Sequence, residues 1–218
     1  MFRTILFDFD GTLYDTVEGI AKCAQYALEK LGITARLDEL RCFAGPPLVD
    51  IFMEKFALSR EQAWEARGLF QERYLPLGVY ESRPFPGMTE FLAALREAGL
   101  VLAVATSKPQ ALCELLLKRA QMREYFSVVR GSRMDGNNNA KSEIVERVIA
   151  DLGARRSDCV LIGDTKYDVA GAHEAGIACI GVRYGFAAPG ELEAAGADAI
   201  ADDLAQLQNM LTCGENLI

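Results

Sequence analysis

From Gly87 onward the chain alternates short apolar runs with amphipathic stretches, and this alternation constrains the fold more than any other feature. The runs Leu100–Ala105, Ser127–Arg130, Cys159–Ile162, Ala178–Val182 and Asp198–Ile200 are rich in strand formers and read as strands. Helical spacing of apolar residues fills the intervals, at about 88–98, 109–120, 141–152, 166–175, 189–195 and 203–211. Strand and helix in alternation imply parallel strands joined by crossover helices, with helices on both faces of the sheet. One more apolar run, Thr4-Ile-Leu-Phe-Asp-Phe9, lies near the start and is broken by Gly11, which brings the core to about six strands.

The segment between the first strand and Gly87 follows a different rule. Ile20, Cys23, Ala24, Ala27, Leu28 and Leu31 recur at three- and four-residue spacing until Gly32, the pattern of an amphipathic helix from Val17. Further helices are expected at about 36–43, 47–57 and 60–76, before the turn-rich Ser82-Arg-Pro-Phe-Pro-Gly87. Residues 15–82 therefore read as an all-helical insertion, and 1–14 with 83–218 as the α/β core it divides. Trp64 and the face around Phe52, Phe56 and Phe70 are expected to form the core of the insertion. The polar Gly136-Asn-Asn-Asn139 reads as a loop.

A net charge of −8 repels nucleic acid polymers and anionic membrane surfaces, so neither is an expected partner. No apolar run approaches the roughly 18 residues of a membrane span, and Asp8 interrupts the first one where a signal peptide needs continuity, so a cytoplasmic location is expected. The six cysteines are scattered without a C-x-x-C pair and read as reduced, mostly packed thiols. With His173 the only histidine, and on a helix face that suits a structural or surface role, a zinc site or a histidine-dependent triad has almost nothing to build on.

The residues that carry chemistry begin with Asp8-Phe-Asp-Gly-Thr-Leu-Tyr-Asp-Thr16. Asp8 and Asp10 are two apart at a strand end and project to one face, so two carboxylates share a small site. Such a pair suits nucleophile plus acid/base work around a cation, because repulsion between the two pulls their titrations apart.

This string resembles the haloacid dehalogenase superfamily of aspartate-nucleophile phosphatases, and three more motifs follow in the family's order. Leu102-Ala-Val-Ala-Thr106-Ser107-Lys108-Pro109 carries a hydroxyl at the end of a buried strand, with a helix N-terminus expected to offer amides to a phosphate. Lys141, in Asn139-Ala-Lys141-Ser-Glu-Ile-Val145, stands where the family keeps a lysine, with Ser142 in place of a frequent proline. Val160-Leu-Ile-Gly-Asp164-Thr-Lys-Tyr-Asp168 matches the family's magnesium-binding G-D-x-x-x-D.

The resemblance implies a Rossmann-like core and an aspartyl-phosphate formed on Asp8, with Asp10 as acid and then base. It further implies Thr106 and Lys141 on the phosphoryl oxygens, and Mg²⁺ held by Asp8, Asp164, Asp168 and the main-chain carbonyl of Asp10. Gly11, Thr12, Ser107 and Lys108 would contact substrate around the same group. The insertion lies where phosphoglycolate phosphatase-like members carry a helical cap. The about 33 residues from Lys108 to Lys141 are too few for a larger α/β cap.

A cap favours a small phosphorylated metabolite, and Phe43-Ala-Gly-Pro-Pro-Leu48 resembles the subgroup's cap loop, which makes Gly45, Pro46 and the nearby Arg41 candidate substrate contacts. Lys22 and Arg73 are comparable candidates for a second substrate anion. The expected protein is a magnesium-dependent phosphatase acting as a monomer on a phosphoglycolate- or nucleotide-type ester. A sugar phosphomutase shares all four motifs; a non-catalytic binding module should lack one of the charged residues, and none is missing.

Overall fold

The computed structural model describes residues 2–45, 47–133 and 140–213, so Pro46 and the Gly136–Asn139 stretch lie outside the described residues. Two compact units emerge, one from Met1–Leu13 with Pro84–Ile218 and one from Tyr14–Arg83.

The larger unit is built on a six-stranded parallel sheet. Its strands are β1 (Thr4–Phe7), β4 (Val101–Pro109), β5 (Val128–Ser132), β6 (Cys159–Gly163), β7 (Ala178–Val182) and β8 (Ala199–Ala201). The order is β5-β4-β1-β6-β7-β8. All four residues of β1 are buried, which explains why Thr-Ile-Leu-Phe is an apolar run without alternation: the strand is covered on both faces. Phe7 stacks edge-on against Phe91 and Phe126, each 6.2 Å away between ring centres. A second apolar layer joins Leu6, Ala103, Leu161 and Cys179 to Ile144, Val145 and Val148 on one helix and Val169 and Ala172 on another.

The helices of this unit are α4 (Met88–Glu97), α5 (Gln110–Arg119), α6 (Lys141–Leu152), α7 (Lys166–Glu174), α8 (Glu191–Ala195) and α9 (Leu204–Cys213). The chain runs outward from β1 through β4 to β5, returns through α6 to the other side of β1 at β6, and continues outward to β8. Strand order thus reverses at β1, and the carboxyl ends of strands at such a reversal form the natural crevice of an open α/β sheet. Phe7 pairs with Val104 on one side and Ile162 on the other, so the residues that leave β1, β4 and β6 emerge side by side.

The smaller unit contains α1 (Val17–Lys30), α2 (Leu48–Phe56) and α3 (Arg60–Tyr74). Where the chain enters and leaves this unit, β2 (Tyr14–Asp15) pairs with β3 (Arg83–Pro84). The expected helix at 36–43 is instead a 3-10 helix over Leu37–Phe43. Phe52 and Phe70 are buried as expected, but Trp64 is 45% exposed, with the Arg67 guanidinium 5.1 Å above its ring. Its position on α3 turns it outward, while Ala63, Ala66, Phe70 and Tyr74 supply the buried stripe.

All six cysteines are unpaired; Cys42 and Cys213 are exposed and the rest packed. No helix among the described residues is long and apolar enough to cross a membrane. His173 lies exposed on α7, 2.9 Å from Asp198.

Candidate active site

Asp8 is the first residue after β1, and its N–H still donates to the Ile162 carbonyl at 2.9 Å, so the ladder fixes its backbone while the side chain is free of the sheet. Asp164 is the first residue after β6 on the neighbouring strand and is fully buried. Asp168 stands in the first turn of α7, where its Oδ2 accepts from the Thr165 N–H at 3.1 Å and hydroxyl at 2.9 Å. That is a reciprocal cap, and it orients the other oxygen of Asp168. One carboxylate oxygen from each of Asp8, Asp164 and Asp168 lies within 4.8 Å of the other two.

Lys141, the first residue of α6, closes the group. Its Nζ is 2.6 Å from Asp8 Oδ1 and 2.7 Å from Asp168 Oδ1, with its side chain 8% exposed. Gly171 makes room for it, since a Cβ there would fall 2.5 Å from Lys141 Cγ. Burial alone would lower Lys141, but Asp168 and Asp8 outweigh it and hold the ammonium charged well beyond its usual range.

Three carboxylates against one ammonium leave an excess of negative charge in a buried place. Burial, opposed by Lys141 and reinforced by Asp168, pushes Asp8 up to about 6. Burial and the other two acids push Asp164 well above the carboxylate range, against the Phe186 N–H that stabilises its anion. Hard oxygen donors, close together and short of positive charge, fit a divalent cation such as Mg²⁺.

Asp10 is separate from this group. Its two oxygens lie 2.9 and 3.2 Å from Lys108 Nζ, so the sequence's D-x-D pair divides between two lysines. The Thr106 hydroxyl is close enough to Asp8 to favour its anion. It also accepts from the Lys108 N–H at 3.2 Å. β4 runs extended to Pro109, past the strand end expected at Ala105, with its register shifting between Ala105 and Pro109, and α5 starts at Gln110, within a residue of the expected helix. Ser107 is exposed.

Gly11 and Thr12 serve the acids directly. Gly11 has φ +83°, and a Cβ there would sit 2.0 Å from Asp164 Oδ2. The Thr12 hydroxyl donates to Asp164 Oδ1 at 3.3 Å, so its buried side chain supports an acid. In the smaller unit, Lys22 is held by Glu18 at 2.6 Å and Glu81 at 3.2 Å, and Arg73 by Glu81 at 2.7 Å. Both of these candidate cations are thus paired with carboxylates within that unit. Arg41 and Gly45 are exposed, with φ +110° at Gly45.

Three contributors were missed by the sequence reading, and all follow β7. Phe186 N–H donates to Asp164 Oδ2 at 2.7 Å, Tyr184 O–H donates to the Thr12 carbonyl at 3.1 Å, and a Cβ on Gly185 would lie 2.2 Å from Asp164 Cβ. A glycine between two aromatics just past a strand was the available signal, but its reason, the packing of Asp164 against that loop, is not written in the local sequence.

The family model of the haloacid dehalogenase-like hydrolases matches residues 5–182, a span that includes Asp8, Asp10, Thr106, Lys141, Asp164 and Asp168. The chain belongs to that family. The hydrolase is 39% identical over 211 residues to a 5'-nucleotidase of Pseudomonas aeruginosa, covering 96% of each chain. It is 35% identical over 213 residues to a plasmid-encoded phosphoglycolate phosphatase of Cupriavidus necator, covering 95% of this chain and 92% of that one. Among solved structures, one described as a predicted phosphatase from Clostridium acetobutylicum superposes with a TM-score of 0.91 at 34% identity, covering 97% of this hydrolase and 98% of that chain.

Proposed function

We propose that this hydrolase removes the phosphoryl group from a small phosphate monoester, with Asp8 as the nucleophile. The observation that carries the reading is the Lys141 ammonium set between Asp8 and Asp168, with Asp164 completing a tight carboxylate group at the strand-order reversal. A carboxylate approaching a phosphate dianion meets repulsion of about 4 kcal/mol per charge pair at about 4 Å and an effective dielectric near 20, so the attack needs fixed positive charge. Lys141 supplies part of it. Asp8, Asp164, Asp168 and the Asp10 carbonyl would hold Mg²⁺, which supplies electrostatic stabilisation of the phosphoryl oxygens.

In the first step an Asp8 carboxylate oxygen bonds to phosphorus as the ester P–O bond breaks, and Asp10 gives its proton to the departing oxygen. In the second, Asp10 takes a proton from water as that water's oxygen bonds to phosphorus, and Asp8 is released. Thr106 and Lys141 orient the phosphoryl oxygens in both. Residues 15–82 act as the cap that selects the leaving group, through Arg41, Gly45 and Pro46. The named relatives point to a nucleoside monophosphate or a phosphoglycolate-type ester.

Purified protein assayed with a panel of phosphate monoesters, with Mg²⁺ and with excess chelator, tests the reading. Phosphate release that requires Mg²⁺ and no bisphosphate activator supports it and separates it from a phosphomutase; no release from any ester overturns it.

A further inference from the structure

Lys108 is an unusual lysine. Its side chain is only 2% exposed, its Nζ meets both oxygens of Asp10, and it lies 5.5 Å from the centre of the Phe9 ring. A buried ammonium is tolerated when it is paired, and here the partner is a carboxylate that is itself 21% exposed.

The backbone that delivers it is fixed from two sides. The Lys108 N–H is held by the Thr106 hydroxyl, and Gly131 packs so close that a Cβ there would come within 2.4 Å of the Lys108 carbonyl oxygen. Extended backbone through Thr106, Ser107 and Lys108 buries the first and third and exposes the second, as pleating requires. Asp8 and Asp10 on one segment therefore face Thr106 and Lys108 on the next as two matched pairs.

We propose that Lys108 is a positioning residue for Asp10, holding that carboxylate out of the Asp8/Asp164/Asp168 group and in the orientation from which it exchanges a proton with the leaving oxygen. The proposal rests on Asp10 being the acid. Lone carboxylates beside a cation site turn toward the cation, and an acid displaced by a fraction of an ångström loses the leaving oxygen. A lysine anchored in the core prevents both. It adds a role for Lys108 distinct from contact with the phosphoryl group, which every ester shares.

Leaving-group dependence separates the two roles. A nitrophenolate departs without a proton, whereas an alkoxide needs one. In kcat/KM measurements from p-nitrophenyl phosphate to simple alkyl phosphates, Lys108→Met is expected to lose roughly 100-fold on the alkyl esters and only a few-fold on the nitrophenyl ester. The loss should fall on kcat, with KM little changed. Asp10→Asn should show the same skew, and adding Lys108→Met to it should cost little more. Lys108→Arg, which keeps the charge and guards against a folding failure of the methionine variant, should recover part of the alkyl-ester activity. A uniform loss across the series in Lys108→Met, beside a skewed loss in Asp10→Asn, overturns the proposal alone. A uniform loss in Asp10→Asn overturns the acid assignment and the proposal with it.

Discussion

Lys141 Nζ lies 2.6 Å from Asp8 Oδ1, a buried ion pair that joins the first residue of α6 to the first residue after β1. Because Asp168 draws on the same ammonium, Asp8 is held in place without being fully neutralised. A carboxylate in that condition is fixed and partly desolvated, as the proposed nucleophile needs to be.

Asp8→Asn removes the proposed nucleophile and relieves like-charge repulsion with Asp168. Turnover should fall by roughly a thousandfold or more, while the thermal midpoint stays or rises. Activity near that of the parent protein in steady-state assays would contradict the assignment.

The acids also set a pH dependence of stability in the metal-free protein. Asp8 titrates near 6 in the fold against 3.8 in an ordinary environment, so the unfolded chain gives up its proton first. Stability is fully retained below about pH 4 and is lost as pH rises through 6, by on the order of 3 kcal/mol from this group alone. Asp164, shifted further by burial and the other acids, extends the loss to higher pH. A divalent cation removes the penalty, so thermal melts should show a larger Mg²⁺-induced rise at pH 7.5 than at pH 5. Equal shifts at both would refute this reading of the cluster.

Gly185→Ala tests the loop after β7. The added Cβ must displace Asp164 or the loop that carries Phe186, losing the Phe186 bond to Asp164. Overpacking of this kind costs about 1–3 kcal/mol. We expect a lower melting temperature and a common loss of activity on every ester. Unchanged melting and kinetics would show that the loop yields without cost.

Arg41→Ala should alter kcat/KM unequally across phosphate esters if residues 15–82 have the proposed role of selecting the leaving group, which differs between esters while the phosphoryl group does not. One common factor for all substrates would remove Arg41 from specificity.

Legibility followed the range of each physical signal. The strand at Ala178–Val182 and the helix at 141–152 are where periodicity places them, because burial there imposes a local pattern. The acids Asp8, Asp164 and Asp168 were readable through the resemblance of their motifs to the family's, because each motif fixes an acid's offset from its own strand. Trp64 was not, since hydrophobic type does not decide which side of a helix a residue takes. Nor was the bond of Tyr184 to Thr12, which joins residues brought together only by the reversal of strand order. The Lys108–Asp10 pair stayed hidden because it joins two separate strand ends, and because β4 continues beyond the strand end expected at Ala105.

The central claim is that phosphorus passes through Asp8. Hydrolysis of a phosphorothioate monoester, made chiral at phosphorus by sulfur and two oxygen isotopes, in water of the third oxygen isotope measures it most directly, through the configuration of the inorganic thiophosphate released. Transfer to Asp8 and then to water is two in-line displacements and gives overall retention of configuration. Inversion would mean that water attacks the ester in one step, and would contradict the account.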